Sequence, residues 1–140
     1  MSYRMVDSLT PEQVVELHEL YQGEWWSKGR TSSDVRTMLA HTGVVIGLID
    51  EGTGRLAAFA RVLTDRVYKA IVFDVIVHPD QRGGGMGRRI MDAIVEHPML
   101  RRVQTIELYC LPELAPFYAQ WGFTADLAGC VFLRRPTNVS

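Results

Sequence analysis

A mixed α/β fold, with a central sheet flanked by helices, is the class this sequence predicts, on three observations. Two helical patterns open the chain, three strand-like runs follow in series, and helical and strand-like runs then alternate to the end. The third strand run, Tyr68 to Val77, is apolar on both faces, as a central strand covered on each side would be. A helical stretch separates that run from the next strand, which makes at least one strand–helix–strand crossover.

The first helix is predicted to start at Thr10. Thr10-Pro11-Glu12-Gln13 offers a side-chain cap, a proline at the first helical position and a glutamine placed to reach back. Val14, Leu17, Leu20 and Tyr21 then recur at helical spacing. The pattern breaks across Gly23 to Arg30. A second, short helix follows Ser32 or Ser33, with Val35, Met38 and Leu39 inward and Gly43 ending it. Val44 to Ile49 is β-branched and apolar, Asp50 to Gly54 is a turn cluster, and Leu56 to Leu63 completes a hairpin. A turn near Thr64 to Arg66 leads into Tyr68 to Val77, which ends at His78-Pro79. A helix is expected from about Gly87 to His97, carrying Ile90, Met91, Ile94 and Val95 inward and stopped by Pro98. Thr105 to Cys110 reads as a strand, Glu113 to Gln120 as a short helix terminated by Gly122, and Cys130 to Leu133 as a last strand.

At 140 residues the chain fits one domain, residues 1–140, and can bury a core without metal or disulfide staples. Apolar residues at 47% and charged residues at 22% are ordinary globular proportions. A formal charge of −1 gives no basic field for nucleic acid. Cys110 and Cys130 make no C-x-x-C and no disulfide framework; they suit a reducing compartment or, at most, a single bridge. Met1 to Leu9 lacks the apolar core of a signal peptide, and apolar runs stay short of the ~18 residues of a membrane helix. By default, then, the expectation is a soluble, cytoplasmic protein without membrane partners. His18, His41, His78 and His97 form no metal-ligand pattern, and a turn-capping role is expected for His78.

The most informative stretch runs from Val75 to Arg89. A strand passes through His78-Pro79-Asp80-Gln81-Arg82 into Gly83-Gly84-Gly85-Met86-Gly87 and directly into an amphipathic helix. Glycine lets the chain turn tightly and lets a ligand approach the backbone. The first N–H groups of a helix lack internal partners and carry partial positive charge. Together these features cradle phosphate oxygens, with Arg82, Arg88 and Arg89 adding charge nearby. The plainer alternative is a glycine-rich strand–helix joint. A Walker A loop fails because Gly87 is followed by Arg88 and Arg89, and both frames of the dinucleotide fingerprint fail for lack of a third glycine. The pattern that fits is R-x-x-G-x-G, at Arg82, Gly85 and Gly87.

This pattern resembles the coenzyme A loop of the GNAT superfamily of N-acetyltransferases. Val77 to Gly83 is similar to that family's lead-in to the loop. Phe117-Tyr118 followed by Gly122-Phe123 is similar to its second signature. The order of elements agrees over nearly the whole chain. The resemblance implies a GNAT-like acyl-CoA acyltransferase fold that binds acetyl-CoA. It also implies direct transfer of acetyl to a primary amine of a small molecule or peptide. The cofactor would be held by Ile76, Val77, Arg82, Gly83, Gly84, Gly85, Met86, Gly87 and Arg88. A main-chain N–H near Ile76 or Val77, at a bulge in the central strand, would receive the oxyanion.

Tyr118 matches the tyrosine that often protonates the departing thiolate in this family; the alternative is a core aromatic on a face shared with Leu114 and Trp121. Asp74 is the lone charge in the run Ala70 to Val77 and is costly there unless paired. It could orient a cationic acceptor or take its proton, or form a structural salt bridge with an arginine of the first helix pair. The segment Trp25 to Arg30 would wall the acceptor pocket, with Trp25 and Trp26 as an aromatic rim and Arg30 at its end. The alternative for the tryptophans is a pair of core aromatics. Leu111-Pro112-Glu113 replaces the asparagine that many relatives use to bind the pantetheine arm. Homodimerisation is a further expectation from the family. A non-catalytic acyl-CoA binding or sensing module on the same scaffold would share the loop and differ at Tyr118 and Asp74.

Overall fold

Sequence periodicity and capping chemistry account for most of the elements in the computed structural model, which describes residues 2–137 in two compact units divided between Leu108 and Tyr109. The first unit holds β1 (Tyr3–Val6), α1 (Pro11–Gln22), α2 (Ser32–Ala40), β2 (Val44–Asp50), β3 (Leu56–Thr64), β4 (Lys69–Val77), α3 (Met86–Val95) and β5 (Thr105–Glu107). The five strands form one sheet in the order β1-β2-β3-β4-β5. All neighbours are antiparallel except β4 and β5, which run parallel. The parallel pair follows from the chain's passing through α3 between them, a connection too long for a hairpin.

Thr10 and Gln13 form the reciprocal capping box at the start of α1: the Gln13 N–H donates to Thr10 Oγ1 at 3.2 Å and the Thr10 N–H to Gln13 Oε1 at 3.0 Å. The helical stripe then turns Leu17, Leu20 and Tyr21 inward against Ile49, Leu56, Phe59 and Ile76, with Val35 of α2 completing the layer. Met86, Ile90, Met91 and Ile94 of α3 are buried, and α3 packs on β2, β3 and β4. Burying each large apolar side chain contributes about 1.5–3 kcal/mol before the entropy of ordering is counted. β3 and the facing parts of β2 and β4 thus supply most of the core.

The second unit, described from Tyr109 onward, is built around a 3₁₀ turn at Pro112–Leu114 and α4 (Ala115–Ala119). α4 ends before Gly122, which lies at φ +87°. Phe117 packs edge-on against Tyr118 at 5.1 Å and against Trp121 at 5.0 Å.

Three elements differ from the sequence reading. Tyr3–Val6 forms an edge strand on β2 that a mixed polar–apolar tetrapeptide did not signal. Cys130 to Leu133 forms no ladder, and these residues are exposed. An apolar run makes a strand only when an edge accepts its hydrogen bonds, and among the described residues none pairs with it. The helix expected from Glu113 begins as the 3₁₀ turn and becomes α-helical only from Ala115. Cys110 and Cys130 are exposed free thiols. Among the described residues no helix is long and apolar enough to cross a membrane, and none of the His, Cys, Asp and Glu side chains cluster in a metal-binding set.

Candidate functional site

The strand β4 carries an extra residue. Phe59 faces Ile76 while Arg61 faces Phe73, so two steps along β3 match three along β4. The surplus falls at Asp74, whose φ of +57° is left-handed, a region that Asp tolerates better than most side chains. The bulge therefore lies two residues before Ile76, upstream of the Ile76–Val77 position the resemblance implied. Beyond it, the His78 N–H donates to the Ala57 carbonyl at 2.8 Å. The alternation of an antiparallel ladder then turns the Val77 N–H and C=O away from β3. The Val77 carbonyl accepts from Arg82 Nε at 3.3 Å, consistent with that orientation. Pairing with β5 stops at Ile71, opposite Glu107, so the outer edge of β4 past that point carries no β5 partner.

After β4 the chain makes a short 3₁₀ turn, Pro79–Gln81, capped by His78, whose Nδ1 accepts from the Asp80 N–H at 3.0 Å. The expected capping role of His78 is thus what the structure contains. Gly83 (φ +83°) and Gly85 (φ +81°) then adopt left-handed conformations that other residues reach only with strain. A Cβ built on either would meet no heavy atom within 4 Å, so the loop is open on that side. Gly85 is the N-cap of α3 and gives it no side-chain cap. The first backbone bond of the helix is that of the Arg89 N–H to the Gly85 carbonyl, so the N–H groups of Met86, Gly87 and Arg88 precede the intrahelical ladder. An open left-handed glycine turn leading to an uncapped helix start fits a diphosphate, which would accept from these amides and gain from the helix dipole. Arg89 is placed over the Tyr3 ring at 5.4 Å, and Arg82 donates from Nη2 to Glu24 Oε1 at 2.8 Å.

Asp74 is the hub of a buried ionic cluster. Its side chain is 6% exposed, and Oδ2 accepts from Arg30 Nη1 and Arg61 Nε, each at 2.7 Å. The Tyr21 hydroxyl donates to the same oxygen at 2.9 Å. Burial pushes the Asp74 carboxyl upward, but the two guanidiniums outweigh it and hold the group below its ordinary range. Burial first, and the Asp74 charge second, push the Tyr21 phenol far above its ordinary value, so it remains a donor. Arg30 stacks over the Tyr21 ring at 4.5 Å and within 5.6 Å of Trp26, while Arg61 lies over Phe73 at 4.8 Å. Trp26 meets Tyr21 edge-on at 6.1 Å, and with Trp25 75% and Trp26 37% exposed neither tryptophan is a core residue. Arg61 and Tyr21 belong to this cluster, yet sequence reasoning did not single them out as site residues. A lone carboxylate in an apolar strand signalled that partners exist, but not which ones.

A cavity of about 260 Å³ lies in the first unit, with Leu20, Gly23 and Glu24 on one side and Ile76, Val77 and Arg82 on the other. A larger one, about 540 Å³, is lined by Arg4, Asp7, Gln13 and His97 among others, and by none of the candidate catalytic, cofactor or acceptor residues. In the second unit Tyr118 is half-buried, edge-on to Phe117 and Phe123. Burial, and to a smaller degree the charge Cys110 acquires on ionisation, push its phenol above the ordinary value.

The family model described as an acetyltransferase (GNAT) domain matches residues 40–125, more than half of the chain. An uncharacterized N-acetyltransferase of Porphyra purpurea is 33% identical over 83% of this chain and 67% of its own length. A rice (Oryza sativa subsp. japonica) protein named serotonin N-acetyltransferase 2, chloroplastic, is 37% identical over 75% of this chain and 55% of its own length. A crystal structure from Xanthomonas campestris pv. campestris, described as belonging to the GNAT family, superimposes with a TM-score of 0.82 at 26% identity, covering 98% of this chain and 94% of that one. The chain belongs to the GNAT acetyltransferase family, and its mixed sheet is the fold of that family. It spans only about half to two thirds of the length of the two curated relatives.

Proposed function

We propose that this protein is an acetyl-CoA-dependent N-acetyltransferase acting on a primary amine of a small molecule or peptide. The observation that carries the reading is the open turn at Gly83 and Gly85, which delivers the chain into an uncapped α3 beside the bulged end of β4. Bound acetyl-CoA would supply an acetyl group already activated as a thioester. Arg82, the glycines Gly83 to Gly85, Met86, Gly87 and Arg88 would hold its diphosphate. The outward-turned N–H of Val77 is a donor available to a developing negative charge, with Ile76 beside it in the strand. Trp25, Trp26 and Arg30 would form the acceptor wall. The name of the rice relative, given for an arylalkylamine, supports including such amines among the candidates.

Tyr118 is proposed as the donor that protonates the leaving thiolate; a phenol held protonated by its surroundings suits that task at neutral pH. For Asp74 we propose an electrostatic role rather than proton abstraction. A carboxylate held below its ordinary range by two arginines is a weak base, and its charge instead fixes Arg30 and the loop before it. An alkylamine has a pKa near ~10, so the neutral nucleophile must then arise by desolvation or through water. The same proposal places the protein in the cytoplasm and has it self-associate as a homodimer.

The second reading, an acyl-CoA binding module without turnover, is favoured by one observation: the acid nearest the bulge is committed to an ion pair. Thiol release from acetyl-CoA over a panel of aryl, alkyl, polyamine and peptide amines separates the two. Calorimetry with coenzyme A against ATP and NAD accompanies it. Amine-stimulated release supports the enzyme. Tight coenzyme A binding with no stimulation by any amine supports the module, and preference for ATP or NAD removes both.

A further inference from the structure

The loop from Glu24 to Arg30 is tethered at both ends by ion pairs that lead to opposite ends of the candidate site. At one end Arg30 binds Asp74 at the β4 bulge. At the other, Glu24 binds Arg82 at the head of the glycine turn. Glu24 is also the structural base of the loop: its carbonyl accepts from the Ser27 N–H at 3.2 Å and the Lys28 N–H at 2.9 Å. Trp25 and Trp26 lie between the tethers. The two pairs are unequal. Arg30–Asp74 is buried on the acid side at 6% exposure, whereas Arg82–Glu24 leaves the arginine 56% and the acid 22% exposed. The exposed pair is the weaker clamp, because water screens its charges.

We propose that Glu24 is an internal competitor for the cofactor's diphosphate at Arg82, so that cofactor binding releases one end of the Trp25–Trp26 loop. The inference rests on the reading that the stretch from Arg82 to Gly87 holds a diphosphate. A diphosphate carries more charge than a carboxylate and offers the bidentate geometry a guanidinium prefers, so it displaces Glu24 from the shared fork. A carboxylate left beside a diphosphate would meet like charge. Arg82 does not need Glu24 to stay in place, since its Nε also donates to the Val77 carbonyl. Release of Glu24 frees the acceptor wall only after the cofactor has bound, which imposes an order on the two ligands.

The test is calorimetric titration of coenzyme A into wild type, Glu24→Gln, Arg82→Met and the double variant. Glu24→Gln should bind coenzyme A about two- to fivefold more tightly, the size expected when an exposed competing pair is removed. The gain should vanish in the Arg82→Met background. In parallel, tryptophan emission is followed in a Trp121→Phe background, which leaves Trp25 and Trp26 as reporters. Coenzyme A should change emission in the Glu24 protein, and Glu24→Gln should show the changed emission before any ligand is added. Unchanged or weaker binding by Glu24→Gln would overturn the proposal, as would an equal gain without Arg82 or an emission that ignores both ligand and substitution. A wild type that fails to bind coenzyme A at all would remove the diphosphate reading itself, and this inference with it.

Discussion

Replacing Asp74 by asparagine tests the ionic cluster without disturbing its shape. Asn has the same outline and tolerates a left-handed backbone at least as well, so the φ of +57° is preserved and only the charge is lost. Oδ2 now accepts two bonds from guanidiniums and one from a phenol. With asparagine the two guanidinium bonds keep a charged donor but lose the carboxylate's charge, and the phenol bond becomes neutral on both sides, falling from about 1.5–3 to about 1 kcal/mol. Arg30 is 31% exposed and can recover hydration, whereas Arg61, at 13%, has less water available to replace its partner. The expected loss is about 2–4 kcal/mol, slightly below the figure for breaking a fully buried pair. For a chain of this length that corresponds to a melting temperature lower by roughly 10 °C, measured by calorimetry or circular dichroism at pH 7.

The pH dependence supplies a second check. Because the folded-state pKa of Asp74 is depressed, its contribution is present above the unfolded value, near about pH 4, and fades as pH falls through the lower folded value. The gap between wild type and Asp74→Asn should therefore stay constant from about pH 5 to 8 and narrow only below about pH 4. A variant that melts within about 2 °C of wild type at pH 7, or a gap that ignores acid, refutes the assignment of Asp74 as an ion-pair hub.

Three further outcomes are expected. Gly85→Ala places a Cβ at φ +81°, costing about 1–2 kcal/mol of backbone strain, and meets no atom of the protein; stability should fall modestly while coenzyme A affinity in calorimetry drops about tenfold or more because the cradle is narrowed. Tyr118→Phe should leave coenzyme A binding unchanged and lower kcat by about 10²-fold in a thiol-release assay, the scale of one lost general acid; equal loss of binding would assign the residue to packing. Phe59→Ala, in the centre of the core beneath α1, should cost about 3–5 kcal/mol in urea unfolding, against almost nothing for Trp25→Ala.

Much of the architecture was legible because it is written in short-range chemistry. The Thr10–Gln13 box, the apolar stripe of α3 and the glycine turn ahead of it each act within a few residues. The crossover between β4 and β5 follows from the same periodicities. Even the likeness of Arg82–Gly87 and Phe117–Phe123 to the family pattern is a matter of local spacing.

What the sequence left open depended on partners far along the chain. Asp74 read equally well as a base, an anchor for a cation or half of a salt bridge. Its donors come from 13, 44 and 53 residues away, and only the pairing of β3 with β4 and the packing of the α1–α2 region bring them to one oxygen. The edge strand at Tyr3–Val6 was silent because its stability comes from the ladder with β2. The apolar run at Cys130 to Leu133 signalled a strand that the structure lacks, since propensity supplies no edge to pair with. Side-chain identity and spacing fix caps, turns and amphipathic faces through nearby bonds. Which charge neutralises which, and which strand finds a neighbour, is decided only when distant segments share the same desolvated space.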